Sequence, residues 1–360
     1  MTAVKNNNMD IPIVIPSYQP NELLINLCTE FKSLNLNNVI IIDDGSQEEY
    51  QDIFKKVQDN FNYKVLRHDK NKGKGRALKT AFNYIINNTN SIGCVTADSD
   101  GQHIPKDIIK CIEALRKNPD SLILGYRDFS LPNVPNKSRL GNTITRKIFS
   151  YLCGIKIKDT QTGLRGIPTK FMKELLNVDG ERFEFETNML IECKNHINIV
   201  EIPIQTIYDS KKDHKTHFNP VKDSIKIYRL FAKKFFKYIL SVLSSFILDI
   251  ALFSLFCILL KNKVSTSYLF IATILARTCS AIYNYFINYY FVFHNKYRKK
   301  EIKRTIGKYF LLVIIQMLLC GILVTGVNLI FNNLNVNLIK VLIDILLFFI
   351  NYYIQLKFIF

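Results

Sequence analysis

The apolar residues of this chain change their spacing twice. Residues 11–15, 39–43, 63–67, 92–97 and 121–125 are short, mostly aliphatic runs rich in β-branched residues, and they predict buried strands. Between them, 20–35, 47–59, 74–88 and 105–118 carry apolar residues at helical spacing. Strands alternating with helices predict a mostly parallel, helix-covered sheet, with functional residues after the strands. From about residue 211 the pattern changes. Lys222, Lys226, Arg229, Lys233 and Lys237 share one helical face, and Val221, Ile225, Tyr228, Phe231 and Phe235 form the apolar one. That is the pattern of a helix lying among lipid headgroups. Four long apolar stretches follow, at 238–260, 267–291, 309–331 and 338–359, each close to the ~20 residues that cross a bilayer. The expected organisation is an α/β domain over 1–210, a basic amphipathic helix over 211–237 and a transmembrane domain of four helices over 238–360.

Charge fixes the expected orientation. The net charge is +18, and the basic residues concentrate at 211–237 and 296–308, beside the most apolar stretches. This placement suits the anionic face of a membrane and argues against nucleic acid as a partner. The link at 294–308 holds Lys296, Arg298, Lys299, Lys300, Lys303, Arg304 and Lys308, whereas the links at 261–266 and 332–337 hold only Lys261 and Lys263. By the positive-inside rule, both termini and the middle loop are expected in the cytoplasm, with the chain multi-pass in the cell membrane. The segment from Met1 to Asn8 has no apolar run of the signal-peptide kind, so the first domain is expected to stay in the cytosol. None of the eight cysteines forms a C-x-x-C pair, which fits a reducing compartment.

Candidate chemistry gathers at the predicted strand ends. Asp98 and Asp100 follow the fourth run two residues apart, so in an extended segment they point the same way. With Gln102 they offer hard oxygen ligands for Mg²⁺ or Mn²⁺, although a solvated acidic turn has the same sequence. Pro16-Ser17-Tyr18-Gln19-Pro20 follows the first run and can hold an aromatic ring against a base or ribose. Asp43-Asp44-Gly45-Ser46 follows the second, where the carboxylates can accept from a nucleobase N–H or ribose hydroxyls, or the segment can be a turn with Ser46 as helix cap. After the third, Asp69-Lys70-Asn71-Lys72-Gly73-Lys74-Gly75 opens a helix, and its glycines and lysines, Lys74 included, can approach phosphate or sugar. Its position after the third strand, not the first, argues against a dinucleotide fingerprint.

In this order and spacing, Ile15-Pro16-Ser17-Tyr18, Ile42-Asp43-Asp44-Gly45-Ser46, Asn71-Lys72-Gly73-Lys74-Gly75, Ala97-Asp98-Ser99-Asp100-Gly101-Gln102-His103 and Asp159-Thr160-Gln161-Thr162-Gly163-Leu164-Arg165 resemble family 2 glycosyltransferases of the GT-A fold, close to the dolichol- and polyprenyl-phosphate sugar synthases. The resemblance covers residues 11–205. It implies inverting transfer of a sugar from a UDP- or GDP-sugar to a lipid phosphate. It further implies that Pro16, Tyr18, Asp43 and Asp44 hold the nucleoside, that Ala97 and Asp98 line the sugar-nucleotide, and that Asp100 and Gln102, with Asp98, ligate Mg²⁺ or Mn²⁺. Pro20 stands where family members often carry Glu.

A lipid phosphate is already ionised at neutral pH, so the acceptor needs positioning more than a strong base. Arginine suits that task because its planar fork pairs phosphate oxygens. Arg127 and Arg139 are the candidates the resemblance favours, with Arg146 a further one. Asp159 stands where the family places a base or orienting carboxylate, and it can equally cap the turn over Thr160–Gly163. Glu184 and Glu186 fall near the family's acceptor-side helix without an assigned role. The Arg-x-x-Gly-x-Ser-Lys stretch of dolichol-phosphate mannose synthases is absent. Lys212, Lys215 and His217 occupy that region, a variant that resembles glucosyl-type bacterial enzymes and favours UDP-glucose or a similar donor over GDP-mannose.

The apolar half repeats itself. Asn284-Tyr285-Phe286-Ile287-Asn288-Tyr289-Tyr290-Phe291-Val292-Phe293 parallels Asn351-Tyr352-Tyr353-Ile354-Gln355-Leu356-Lys357-Phe358-Ile359-Phe360, which predicts two hairpins related by duplication. Residues 235–360 resemble the GtrA-like four-helix membrane proteins associated with polyprenyl-linked sugars. Arg277 is expected to pair with Asp344 or Asp249, since unpaired charge in a bilayer is costly. Three functions stay in view. The first is polyprenyl-phosphate sugar synthesis for the cell envelope, and the second is GDP-mannose-dependent dolichol-phosphate mannose synthesis. The third is a lipid-linked sugar flippase or anchor, for which four helices are few unless the chain forms a homo-oligomer. A processive polysaccharide synthase is disfavoured, because its Gln-x-x-Arg-Trp motif needs a tryptophan and the chain has none.

Overall fold

The computed structural model describes residues 11–130, 134, 136–194, 196–205, 222–261, 268–293, 302–330 and 336–360. They form two compact units, Met1–Ser150 with Ile155–Leu230, and Tyr151–Gly154 with Phe231–Phe360.

The first unit is built on a seven-stranded sheet of order β3-β2-β1-β4-β6-β5-β7. Its strands are β1 (Ile13–Ser17), β2 (Val39–Asp43), β3 (Lys64–Arg67), β4 (Gly93–Thr96), β5 (Ser121–Arg127), β6 (Arg165–Pro168) and β7 (Asn198–Ile204). The helices are α1 (Glu22–Ser33), α2 (Gln51–Phe61), α3 (Lys74–Asn88), α4 (Pro105–Lys117), α5 (Asn136–Cys153), α6 (Thr169–Leu175) and α7 (Glu184–Glu192). The central strands β1 and β2 are buried along their whole length, as continuous aliphatic runs must be when helices cover both faces. Their core partners include Leu24 and Phe31 of α1, Phe54 of α2, and Ile108 and Leu115 of α4.

The five strands and four helices expected before residue 127 are all present, within a few residues of their expected limits. The sheet departs from parallel at one strand. β6 runs antiparallel to both β4 and β5, because the chain turns back through Gly163 and Leu164 before re-entering the sheet. β7 ends the sheet beside β5, and an edge position tolerates its Pro203. β1→β2→β3 build outward on one side of β1, and β4 is added on the other. The C-terminal ends of β1 and β4 therefore flank a topological switch point, where open α/β sheets hold their ligands.

The second unit is helical. Its elements are α8 (Lys222–Leu260), which begins in the first unit, α9 (Tyr268–Ile287), α10 (Ile302–Ile330) and α11 (Val336–Ile354), with π-helical turns at Asn288–Val292 and Gln355–Ile359. The basic stretch and the first apolar stretch are not separate helices. Residues 222–260 contain no Gly or Pro to break the ladder, so α8 runs unbroken for 39 residues, about 58 Å. Among the described residues, three helices are long and apolar enough to cross a membrane: Ala232–Leu260, Ile302–Ile330 and Leu338–Ile359. The second of the four expected spans falls on α9, which is helical but is not one of these three. Of the basic link at 294–308, residues 294–301 lie outside the described residues, and the remainder opens α10.

Repeat-equivalent positions meet one another. Asn288 donates to Gln355 Oε1 at 3.0 Å, across 67 residues, and the rings of Phe293 and Phe360 stack 5.1 Å apart. Tyr285 lies 5.9 Å from Phe360, and its counterpart Tyr352 lies 5.9 Å from Phe293. Matching residues in contact at matching distances place a pseudo-two-fold axis between the hairpins. Asn288 also accepts from Ser241 Oγ at 2.7 Å and donates to Asn284 Oδ1 at 2.8 Å, so the node at the axis is internally satisfied. Arg277 pairs with Asp249, Nε to Oδ2 at 3.4 Å, and not with Asp344, which Lys340 holds at 2.9 Å from the preceding turn. Asn288→Leu leaves Ser241, Asn284 and Gln355 short of partners. It is expected to cost roughly 1–2 kcal/mol, read as a lower melting midpoint of the detergent-purified chain; an unchanged midpoint contradicts the axial role.

Candidate active site

Four chain segments converge at the switch point. β4 delivers Ala97, Asp98, Asp100, Gln102 and His103; α3 begins with Lys74; the first turn of α7 carries Glu186; and the loop before β6 supplies Asp159 and Gly163. Lys74 joins three of these. Its Nζ lies 2.7 Å from Asp98 Oδ1 and 2.9 Å from Glu186 Oε2, with the lysine and Glu186 side chains largely buried. Burial works against charge on Asp98, but the Lys74 ammonium and the neighbouring His103 together outweigh it and hold the carboxyl well below the usual range. The reverse pull raises Lys74 above an ordinary lysine despite its own burial. Burial, and next the charge of Asp98, push the Asp100 carboxyl upward.

Gly163 sits against the Asp98 carboxylate. A Cβ there would fall 2.7 Å from both Cγ and Oδ1 of Asp98, closer than any side chain tolerates. The loop is tied in place by Thr96, whose hydroxyl donates to the Gly163 carbonyl at 2.7 Å. Arg165, fully buried, donates to the Thr162 carbonyl at 3.0 Å and to the Glu186 carbonyl at 2.6 Å. One guanidinium thereby fixes both the Gly163 loop and the turn carrying Glu186, a role its sequence position did not reveal.

The other expected residues take definite places. Arg127 and Asp159 are partners of each other: Nε to Oδ2 at 2.7 Å and an Nη to Oδ1 at 3.1 Å, a bidentate pair with Asp159 fully buried. Asp159 also accepts from the Gln161 backbone at 3.0 Å, as the turn-capping alternative expects. Arg139, on α5, donates to the Phe129 carbonyl at 2.9 Å. Arg146 lines a separate cavity from which Arg127 and Arg139 are absent. Pro16 is buried within β1, with Tyr18 half-buried beyond it.

Asp43 and Asp44 are both buried and densely bonded. Asp43 accepts from Ser46 N–H at 2.8 Å and Gln51 Nε2 at 3.0 Å, with Arg67 at 3.3 Å. Asp44 accepts from the backbone of Lys72 at 2.9 Å and Gly73 at 2.8 Å, and meets His68 Nδ1 at 2.7 Å. These carboxylates shape the loops after β2 and β3. Ser46 is not a cap of its own helix, and its hydroxyl instead accepts from Gln19 N–H at 2.8 Å. The glycine-rich opening of α3 differs from its expected use. A Cβ on Gly75 would meet Phe185 Cβ at 2.6 Å, so this glycine serves the close approach of α7 and not of a phosphate. Lys212, Lys215 and His217 lie outside the described residues.

Among the described residues, no group of three or more His, Cys, Asp or Glu is placed to hold a metal. The donor set after β4 is instead two carboxylates and an amide, all hard oxygens, which suits Mg²⁺ or Mn²⁺. Asp98 Oδ1 is committed to Lys74, whereas among the described residues Asp100 receives only the Gln102 backbone N–H, at 3.1 Å on Oδ1. Two buried hydroxyls nearby have no hydrogen-bond partner among the described residues, Ser17 Oγ at the end of β1 and Thr160 Oγ1 beside Asp159, and His103 Nε2 lies 3.4 Å from Asp98 Oδ2. Orphaned buried donors and acceptors of this kind mark a site that a polar ligand completes.

The profile of glycosyl transferase family 2 matches residues 13–176, and that of the GtrA/DPMS transmembrane domain matches residues 237–360. The UDP-N-acetylglucosamine–dolichyl-phosphate N-acetylglucosaminyltransferase of Methanococcus voltae is 32% identical over 216 residues, which cover 55% of this chain and 86% of that one. The dolichol-phosphate mannosyltransferase of Pyrococcus furiosus is 26% identical over 233 residues, covering 62% and 64%. The crystal structure of mannosyl-3-phosphoglycerate synthase from Rubrobacter xylanophilus is matched at 12% identity and a TM-score of 0.44, over 61% of this chain and 70% of that one. The chain belongs to glycosyl transferase family 2, within the dolichyl- and polyprenyl-phosphate glycosyltransferases, and is a membrane enzyme with a GtrA-like domain.

Because Gly163 leaves room for the Asp98 carboxylate, Gly163→Ala is expected to displace it by about an ångström and slow sugar transfer by roughly a hundredfold, with the melting midpoint little changed. Initial rates at saturating donor test this; a rate within threefold of the parent, roughly 0.6 kcal/mol, contradicts it.

Proposed function

We propose that this enzyme transfers a hexose, with inversion, from a UDP-sugar to polyprenyl phosphate at the cytoplasmic face of the cell membrane. The observation that carries the reading is the Lys74–Asp98–Glu186 triad at the head of Asp98-Ser99-Asp100-Gly101-Gln102. The reaction forms a bond between an acceptor phosphate oxygen and the sugar C1, and breaks the bond from C1 to the donor diphosphate. The nucleoside diphosphate leaves with the electron pair. No proton need be removed from an acceptor that is already ionised. Asp98 faces the donor sugar, held by Lys74, and Tyr18 with the Asp43 and Asp44 loops bounds the nucleoside. Asp100, Gln102 and Asp98 would hold a divalent cation, which when bound would supply positive charge to the departing diphosphate. Arg127, paired with Asp159, supplies the positive charge that positions the acceptor phosphate, with Arg139 of α5 as the second candidate.

A UDP-sugar is favoured by the region at Lys212, Lys215 and His217, which lacks the mannose-synthase stretch, and by the donor named for the Methanococcus voltae relative. That relative extends the choice of hexose from glucose to N-acetylglucosamine. The basic residues at 296–308 favour a cytoplasmic middle loop, cytoplasmic termini and four crossings, with α9 as the second.

The test is transfer of radiolabelled sugar from UDP-glucose, UDP-N-acetylglucosamine and GDP-mannose to undecaprenyl or dolichyl phosphate, using detergent-purified chain. A mild-acid-labile lipid from a UDP-sugar is expected. It should be lost with EDTA, restored by Mn²⁺ or Mg²⁺, and reduced at least roughly a hundredfold by Asp100→Ala. Label from GDP-mannose alone overturns the donor assignment, and no lipid product from any donor overturns the reaction.

A further inference from the structure

A basic concavity lies away from the switch point. It is an open concavity of about 320 Å³, lined by Arg146, Lys147 and Ser150 of α5, Lys156, Ile157 and Lys158 of the loop that follows, and Glu201 of β7. Four cations face one carboxylate, and that carboxylate is partly committed. Glu201 Oε1 accepts from the Lys158 backbone N–H at 2.6 Å. The Lys158 ammonium stands 4.1 Å from the Tyr126 ring centroid. Arg146, Lys147 and Lys156 make no ion pair or side-chain hydrogen bond among the described residues. Like charges gathered on a concave wall repel one another, and the field they focus into the concavity favours an anion there.

We propose that this cavity binds a phosphate group. Phosphate matches the donors present: a planar guanidinium fork, compact ammonium groups and the Ser150 hydroxyl. The volume accommodates a phosphate together with the group that carries it. The same chemistry is offered by the headgroup of an anionic bilayer phospholipid and by free phosphate or diphosphate. Two features favour the lipid. Leu140 and Ile144 are 62% and 44% exposed on α5, and with Lys147 they fall on one stripe of the helix at steps of four and three. Exposed apolar residues in line with a basic cavity suit an amphiphile with an anionic head.

The cavity backs onto the reaction site without joining it. Along 155–159 buried and exposed residues alternate, so Lys156 and Lys158 point outward while Asp159 points inward to Arg127. Asn142 of α5 donates to the Lys158 carbonyl at 3.2 Å and ties the loop to the helix. The proposal stands independently of which sugar is transferred.

Binding to the full detergent-purified chain tests it, with short-chain phosphatidylglycerol and inorganic pyrophosphate titrated separately and short-chain phosphatidylcholine as the zwitterionic reference. The paired substitution Lys147→Gln with Lys156→Gln is expected to weaken the bound anion about tenfold. Its rate of sugar transfer in detergent should stay at the parent level. Glu201→Gln keeps an acceptor for Lys158 N–H and removes the one negative charge, so it should tighten binding about threefold. Saturable phosphatidylglycerol binding with these shifts identifies a lipid headgroup as the ligand. The same shifts with pyrophosphate, and none with the lipid, identify a free anion. Equal affinities in the parent and both variants, or no saturable binding of either probe, overturn the proposal.

Discussion

The ion pairs of Lys74 are the constraint on which the rest of the site depends. A lysine at the first position of α3 bridges the carboxylate after β4 and another at the start of α7. A buried ammonium between two carboxylates compensates desolvation that neither acid could bear alone. Losing the cation would leave Asp98 facing both Glu186 and Asp100. The surrounding backbone is arranged to permit the contact: Gly75 lets α7 approach α3, Gly163 leaves space for the Asp98 carboxylate, and Arg165 joins the Gly163 loop to the α7 turn. Sheet topology supplies the location, and these four residues supply the geometry.

The chemistry then follows from preorganisation. The bidentate pair with a buried Asp159 restricts the rotamers of Arg127, as the acceptor-positioning role proposed for it requires. The same pairing makes Asp159 a positioning residue on this account. The acceptor phosphate needs no general base, so a paired carboxylate at that point is consistent with the proposed reaction.

Much of the first unit was legible in the sequence, for a physical reason. Central strands such as Ile13–Ser17 and Val39–Asp43 are uninterrupted aliphatic runs, and the helices between them are amphipathic, so period and composition agree. Beyond Arg127 that agreement weakens. β7 carries Glu201 and Pro203, which an edge strand tolerates but which hide it from a pattern search, and β6 is only four residues long. The acid motif was readable, because its two carboxylates stand two residues apart in the sequence. The partners of Asp98 were not, because Lys74 and Glu186 reach it only through the fold. The glycines at 73 and 75 illustrate the converse: their spacing suggested phosphate contact, while helix packing accounts for Gly75. In the membrane half the internal repeat was visible in the aromatic and amide residues, and contacts between Asn288 and Gln355 and between Phe293 and Phe360 give it a structural meaning. The boundary between basic helix and first span was not, since nothing in 222–260 interrupts a helix.

The central claim is that Lys74 holds Asp98 in its working position. The most direct measurement compares sugar transfer by Lys74→Met, Lys74→Arg and the parent chain at saturating donor, with melting midpoints recorded alongside. The account predicts that Lys74→Met loses roughly a hundredfold in kcat, while Lys74→Arg, which keeps the charge, recovers part of the loss. A Lys74→Met enzyme that folds and turns over within a few-fold of the parent would contradict it.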